Sequence, residues 1–170
     1  MASNKPRIAA VLLSLSAAGF AAWQSHEGFT SNAVIPTKGD VPTIGHGSTR
    51  YEDGTPVKMG DTITRTRAAE LALNLANQDC KRMALTIASV PLTQTEFDVY
   101  CNFTGQYGIA NWRGSSMVKY LLRGDHVMAC KSLLLYKYAA GYDCSTPGNT
   151  RCYGSWTRQV ERYNTCIGEQ

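Results

Sequence analysis

The chain runs His26-Glu27-Gly28-Phe29-Thr30 and, after a turn-rich interval, Pro42-Thr43-Ile44-Gly45-His46-Gly47. A lone acidic residue stands at the exit of an apolar run, and a short β-forming stretch bounded by glycines follows it. Residues 28–60 hold six of the 15 glycines and three of the six prolines, with Thr and Val between them. That is the composition of short strands joined by turns. Asp53-Gly54 adds a hairpin-turn signal.

Beyond Asp61 the pattern becomes helical. Thr64 is placed to cap a helix to about Ala88, where Pro91 breaks the chain. Thr93-Gln94-Thr95-Glu96 reads as a capping box opening the next helix, with Gly105 and Gly108 punctuating its end. Ser115 caps a short helix stopping at Gly124, and Asp125 caps another ending near Gly141. Ser155 caps the last, to about Cys166. The expected fold is α+β, mostly α, with a β-rich lobe over about 28–60 and a larger helical lobe over about 61–170.

The 170 residues suffice for one domain with a real core. Hydrophobic residues make up 44%, which excludes a largely disordered chain. The net charge of +4 is scattered, without a Lys/Arg run or a basic helix face, so nucleic acid is not an expected partner. A mildly cationic surface suits a polyanionic wall or membrane. The six cysteines form no C-x-x-C pair, and their even number points to disulfides in an oxidising compartment. Cys144 and Cys152 flank a turn-rich stretch and are the expected pair; the other four leave three pairings open. No metal-ligand or nucleotide-loop spacing occurs, so no cofactor is expected.

Lys5 and Arg7 precede an uncharged run, Ile8–Trp23, in which nine of sixteen residues are Ala, Ser or Gly. Basic residues before an apolar run mark an export segment. As a helix it spans only about 24 Å, short of a hydrocarbon core of about 30 Å. A reversible membrane anchor is the preferred reading over a cleaved signal or an ordinary core helix. Residues 1–26 are therefore set apart as an apolar anchor helix and 27–170 as the folded domain. The run contains no cysteine, so a thiol from it cannot rearrange the disulfides.

Around these residues the chain resembles the phage-type lysozymes, glycoside hydrolase family 24. The resemblance rests on Glu27-Gly28-Phe29 and Thr43-Ile44-Gly45-His46-Gly47. It is supported by Gln94-x-Glu-Phe-Asp98, by Phe103-x-x-Gln106-Tyr107-Gly108, and by the turns Arg113-Gly114-Ser115-Ser116 and Arg123-Gly124-Asp125. The N-terminus is similar to that of endolysins with signal-arrest-release anchors. The resemblance implies a lysozyme-like fold and cleavage of the β-1,4 glycosidic bonds of peptidoglycan by an N-acetylmuramidase acting in host lysis. It implies an inactive form tethered to the host inner membrane and an active form released into the periplasm. A monomer is expected.

Breaking a glycosidic bond requires an acid on the leaving oxygen and a group handling the water. Glu27, between Trp23 and Phe29, is the candidate acid, and apolar neighbours there would keep it protonated. The matching family threonine implies that Thr43 holds the water. The family's Asp, six residues before that Thr, is absent, since Thr37 stands there. Asp40 is the nearby carboxylate, either catalytic or a turn residue. His46 and Gln106 are candidate substrate-binding residues, His46 having a structural alternative. Arg158 reads as part of a solvated helix face. A lytic transglycosylase, which needs one acid only, and a non-catalytic wall-binding protein are the competing functions.

Overall fold

The computed structural model describes residues 5–25 and 27–170. Met1–Asn4 and His26, which belong to the expected anchor segment, lie outside the described residues. The chain begins with β1 (Ile8–Ala9), a 3-10 turn (Ala10–Leu12) and α1 (Ala17–Gln24). The small lobe follows with β2 (Thr30–Val34) and β3 (Thr43–Gly45). Then come α2 (Arg65–Thr86), β4 (Pro91–Leu92), α3 (Gln94–Gly114), α4 (Ser116–Leu121) and α5 (His126–Ser132). A hairpin, β5 (Tyr138–Ala139) and β6 (Tyr142–Asp143), precedes α6 (Tyr153–Ile167). The α+β, mostly helical expectation, with a small β-hairpin lobe ahead of a larger helical one, holds.

Helix α2 joins the lobes. Near its start Leu71 packs with Ala33, Ile44 and Val57 into the small-lobe core. Near its end Met83 and Ala84 enter the larger core, beside Phe97, Phe103, Trp112, Met117 and Leu133. Both cores depend on one rigid rod, so α2 sets the distance between the lobes.

Several helix starts follow the local signals. The Thr64 hydroxyl accepts from Arg67 N, and Ser115 and Asp125 cap α4 and α5. Thr93 and Glu96 form the full capping box. Three boundaries differ. Helix continues past Gly108 to Gly114, because the positive φ of 82° at Gly108 kinks the helix and a second stretch resumes. Helix α5 ends at Ser132 rather than near Gly141: Leu133–Leu135 tighten into a 3-10 turn, and the chain then reverses through Ala140-Gly141, both at positive φ. Helix α6 starts at Tyr153, with Cys152 rather than Ser155 in the cap position.

The disulfides are Cys80–Cys101, Cys130–Cys166 and the expected Cys144–Cys152. Cys80–Cys101 ties α2 to α3, and Cys130–Cys166 ties α5 to α6.

In this structure residues 8–24 form a strand, a turn and an eight-residue helix rather than one apolar helix. Ile8 and Ala9 pair with Leu92 and Pro91, and Ala10 is buried in the main core. Arg7 reaches the fully buried Glu96 at 3.3 Å, and Lys5 pairs with Glu169. The break follows from these anchorages: the strand pairing, the ion pairs and the Ser16 cap each hold a different local geometry. Among the described residues no helix is long and apolar enough to cross a membrane.

Candidate active site

The β2–β3 hairpin carries the glycine-bounded stretch. Thr30 pairs with Gly45 and Val34 with Thr43, so a bulge falls within β2. Gly45 has φ +64° and lies where a Cβ would come within 2.9 Å of the Ala68 side chain on α2. Only glycine lets the strand sit this close to that helix. Gly47, at φ +85°, brings its backbone alongside Glu27; a Cβ there would be 3.4 Å from Glu27 Oε2. The two glycines thus seat the hairpin on α2 and leave room for a carboxylate.

Glu27 follows α1 directly, and its backbone N–H donates to Gln24 O at 3.0 Å. Its side chain is 28% exposed and meets the Arg158 guanidinium of α6 at 3.5 Å. This corrects the expectation of an apolar pocket. Trp23 stacks on Phe20 with centroids 5.8 Å apart, and Phe29 lies under the Arg65 guanidinium at 4.3 Å. It also corrects the solvated-face reading of Arg158, whose side chain is mostly covered.

Thr43 is partly buried in β3, and its hydroxyl donates to Val34 O at 3.4 Å. Asp40 is exposed in the loop before β3, where its N–H donates to Thr37 O. The bulge lies in β2, not in the segment that carries Asp40.

His46 Nδ1 is 2.8 Å from Gly28 O. A carbonyl only accepts, so Nδ1 carries the proton and Nε2 is left as the acceptor when the ring is neutral. His46 therefore braces the residue next to Glu27. It also lines a cavity of about 140 Å³ with Trp23, Arg50, Asp79 and Gly105. Burial pushes the Asp79 carboxyl upward there, against the pull of Arg50 and Arg82.

Gln106 is exposed, and its Oε1 accepts from Arg162 Nη2 at 2.6 Å. Arg162 is buried and also bonds Asn102 and Gln159, and burial pushes its guanidinium down to about 10. The Gln106 carbonyl is thus already held, which leaves its amide nitrogen for a ligand. Among the described residues no cluster of His, Cys, Asp and Glu is arranged to hold a metal ion.

The small hairpin lobe, the larger helical lobe and the carboxyl group between them fit the lysozyme type of glycoside hydrolase that the sequence resembles. Residues 24–151 match the family model for phage lysozyme, and the chain belongs to that family. It is 30% identical to the endolysin of Salmonella phage P22 over 128 residues, 75% of this chain and 86% of the relative. The endolysin from Escherichia coli O157:H7 phage FAHEc1 superposes with a TM-score of 0.76 at 26% identity, covering 93% of this chain and 96% of that one. The active form of the P1 phage endolysin superposes with a TM-score of 0.72 at 16% identity, over 96% of both chains, and shares the fold.

Proposed function

We propose that this chain is an endolysin that hydrolyses the β-1,4 bonds of peptidoglycan as an N-acetylmuramidase during host lysis. The observation that carries the reading is Glu27 held between Arg158 and the Gly47 backbone. Glu27 protonates the leaving oxygen. Arg158 orients the carboxyl group and stabilises it as the anion formed by that transfer. Thr43 holds the attacking water, and Gln106 contacts the glycan through its amide. His46 braces the Glu27-Gly28 backbone. Asp40 is the only carboxylate between Glu27 and Thr43 in the chain, and its place in an exposed turn leaves it a minor part.

The test is clearing of purified sacculi by the full chain and by Glu27→Gln. The wild type clears them and generates reducing ends, and Glu27→Gln falls below about one hundredth of that rate. Anhydro-muramic ends would assign a lytic transglycosylase. Full activity in Glu27→Gln would overturn Glu27 as the acid, and wild type that binds sacculi without clearing them would leave only a wall-binding role.

The segment ahead of Glu27 supports a second level of the reading: a chain tethered in the host inner membrane, inactive, and activated by release into the periplasm. Its Ala, Ser and Gly content makes membrane insertion marginal. With Lys5 and Arg7 on the cytoplasmic side, release carries two cations outward against the membrane potential. That costs about 2.3 kcal/mol per charge per 100 mV, and the cost vanishes when the potential collapses. In the tethered form α1 cannot dock on α3, and Glu96 lacks Arg7. In the released form Arg7 and Lys5 find Glu96 and Glu169. Ala17 and Ala21 are exposed in the folded chain, so Ala17→Leu with Ala21→Leu strengthens the anchor alone. The expected result is prolonged membrane retention and delayed lysis; unchanged timing would overturn release as the activating step.

A further inference from the structure

Helix α1 crosses α3 at two close approaches, each at a glycine. Near its N-terminus, Gly19 lies against Asp98 of α3; a Cβ on Gly19 would be 2.5 Å from the Asp98 carboxyl carbon. At its other end, Trp23 lies against Gly105 of α3, where a Cβ would be 3.3 Å from the indole nitrogen. Each helix has therefore given up a side chain where the other presses on it. Glu27 hangs from the end of α1 through its bond to Gln24 O. Any shift of α1 along α3 moves the Glu27 carboxyl relative to Arg158 and Gly47.

Asp98 holds the crossing by hydrogen bonds as well as by fit. Its Oδ1 accepts from the Ser16 backbone N–H at 3.0 Å, and its Oδ2 accepts from the Ser16 hydroxyl. Ser16 is the N-cap of α1, its hydroxyl in turn accepting from Gly19 N at 2.9 Å. Gln94 donates to the same carboxylate at 3.0 Å and to Ser14 O at 2.9 Å. The carboxylate therefore sits at the positive end of α1 and grips its first residues, where negative charge is most favourable.

We propose that Asp98 is a positioning residue for Glu27, acting through α1. Asp98 fixes the translation and rotation of α1 on α3, and so fixes where the Glu27 carboxyl stands against Arg158 and the β3 hairpin. The proposal rests on Glu27 being the acid, but not on any membrane-tethered form. Asp98 also lines a groove of about 440 Å³ with Ala18, Ala22 and Arg158, so substrate contact is the rival role. Kinetics separate the two. A residue that positions the acid changes kcat, whereas one that grips ground-state substrate changes KM.

The experiment compares full-length wild type, Asp98→Ala, Asp98→Asn, Ser16→Ala, the Ser16→Ala/Asp98→Ala double variant and Gly105→Ala on a soluble glycan substrate. Amide hydrogen exchange across α1 is measured on the same samples, well below their unfolding temperatures. Asp98→Ala is expected to lower kcat tenfold to a hundredfold, the scale of a misplacement of about 1 Å, with KM within about twofold. Asp98→Asn keeps an acceptor and the shape, and is expected to recover most of kcat. The double variant is expected to be no worse than Asp98→Ala, since both changes break one contact. Gly105→Ala displaces Trp23 and is expected to lower kcat also. Amides of α1 should exchange at least tenfold faster in Asp98→Ala. A wild-type kcat in folded Asp98→Ala, or a raised KM with kcat unchanged, would overturn the proposal. Glu27→Gln in the same assay keeps the two readings apart: if it is active, the catalytic assignment fails; if it is dead while Asp98→Ala is fully active, only the positioning role fails.

Discussion

Glu96 makes the acid stability of this protein predictable. Its side chain is fully buried at the start of α3, and four groups meet it: Arg7, His126, Gln170 and the Thr93 backbone N–H. Burial alone would push the carboxyl up, but the hydrogen bonds from His126, Arg7, Thr93 and Gln170 outweigh it and hold it at about 2, against 4.5 in an open chain. At about 1.4 kcal/mol per unit, that difference is worth about 3 kcal/mol of folding stability. Because the folded carboxyl titrates below the unfolded one, the contribution is complete above about pH 4.5. It is lost as the pH falls toward 2. The assay is urea unfolding of the oxidised full chain at a series of pH values between about 6 and 2, for wild type and Glu96→Gln. Glu96→Gln is expected to be less stable at neutral pH, since it leaves the Arg7 guanidinium without its counter-charge. It should also lack about 3 kcal/mol of the acid loss that wild type shows, so the two curves converge as the pH falls. Parallel curves would refute the reasoning, because the other carboxylates titrate alike in both proteins.

Arg158→Ala is expected to lower kcat/KM at least tenfold with little change in melting temperature, and Arg158→Lys to recover part of it; steady-state kinetics with thermal melts check both. Asp40→Asn is expected to change turnover less than threefold, whereas Thr43→Ala should cost at least tenfold, both read as sacculus clearing. From loop length alone, removing Cys130–Cys166 should cost about 4 kcal/mol and removing Cys144–Cys152 about 2.5 kcal/mol, measured by urea unfolding of the paired alanine variants.

Features written within a few residues of sequence were readable. The caps at Thr64, Thr93, Ser115 and Asp125 are local hydrogen-bond geometries, and Cys144–Cys152 closes a short turn. Glu27 and the glycine-bounded Thr43 strand stood out as a pair only through their resemblance to the phage-type lysozymes, since a lone glutamate or a strand threonine carries no such signal. The end of α5 was not, because Ser132 to Leu135 stops being α-helical only where Leu133 enters the core and Gln159 of α6 donates to its carbonyl. Arg158 could not be singled out either. On a helix surface it looks like any solvated arginine until the fold brings Glu27 to it.

The sequence by itself determined the two lobes, the helix starts capped by Thr64, Thr93, Ser115 and Asp125, and the glycine-bounded strand that follows Glu27, since each depends on contacts between residues close in the chain. Tertiary structure alone decided what surrounds Glu27: a guanidinium from the last helix, with Asp98 gripping the helix that leads to it. It also broke the N-terminal apolar run into a strand, a turn and a helix. That run could satisfy its backbone by itself as one helix in lipid. In the fold, pairing with β4, the Ser16 cap on Asp98 and the ion pairs of Lys5 and Arg7 supply its partners from residues about 80 or more positions away.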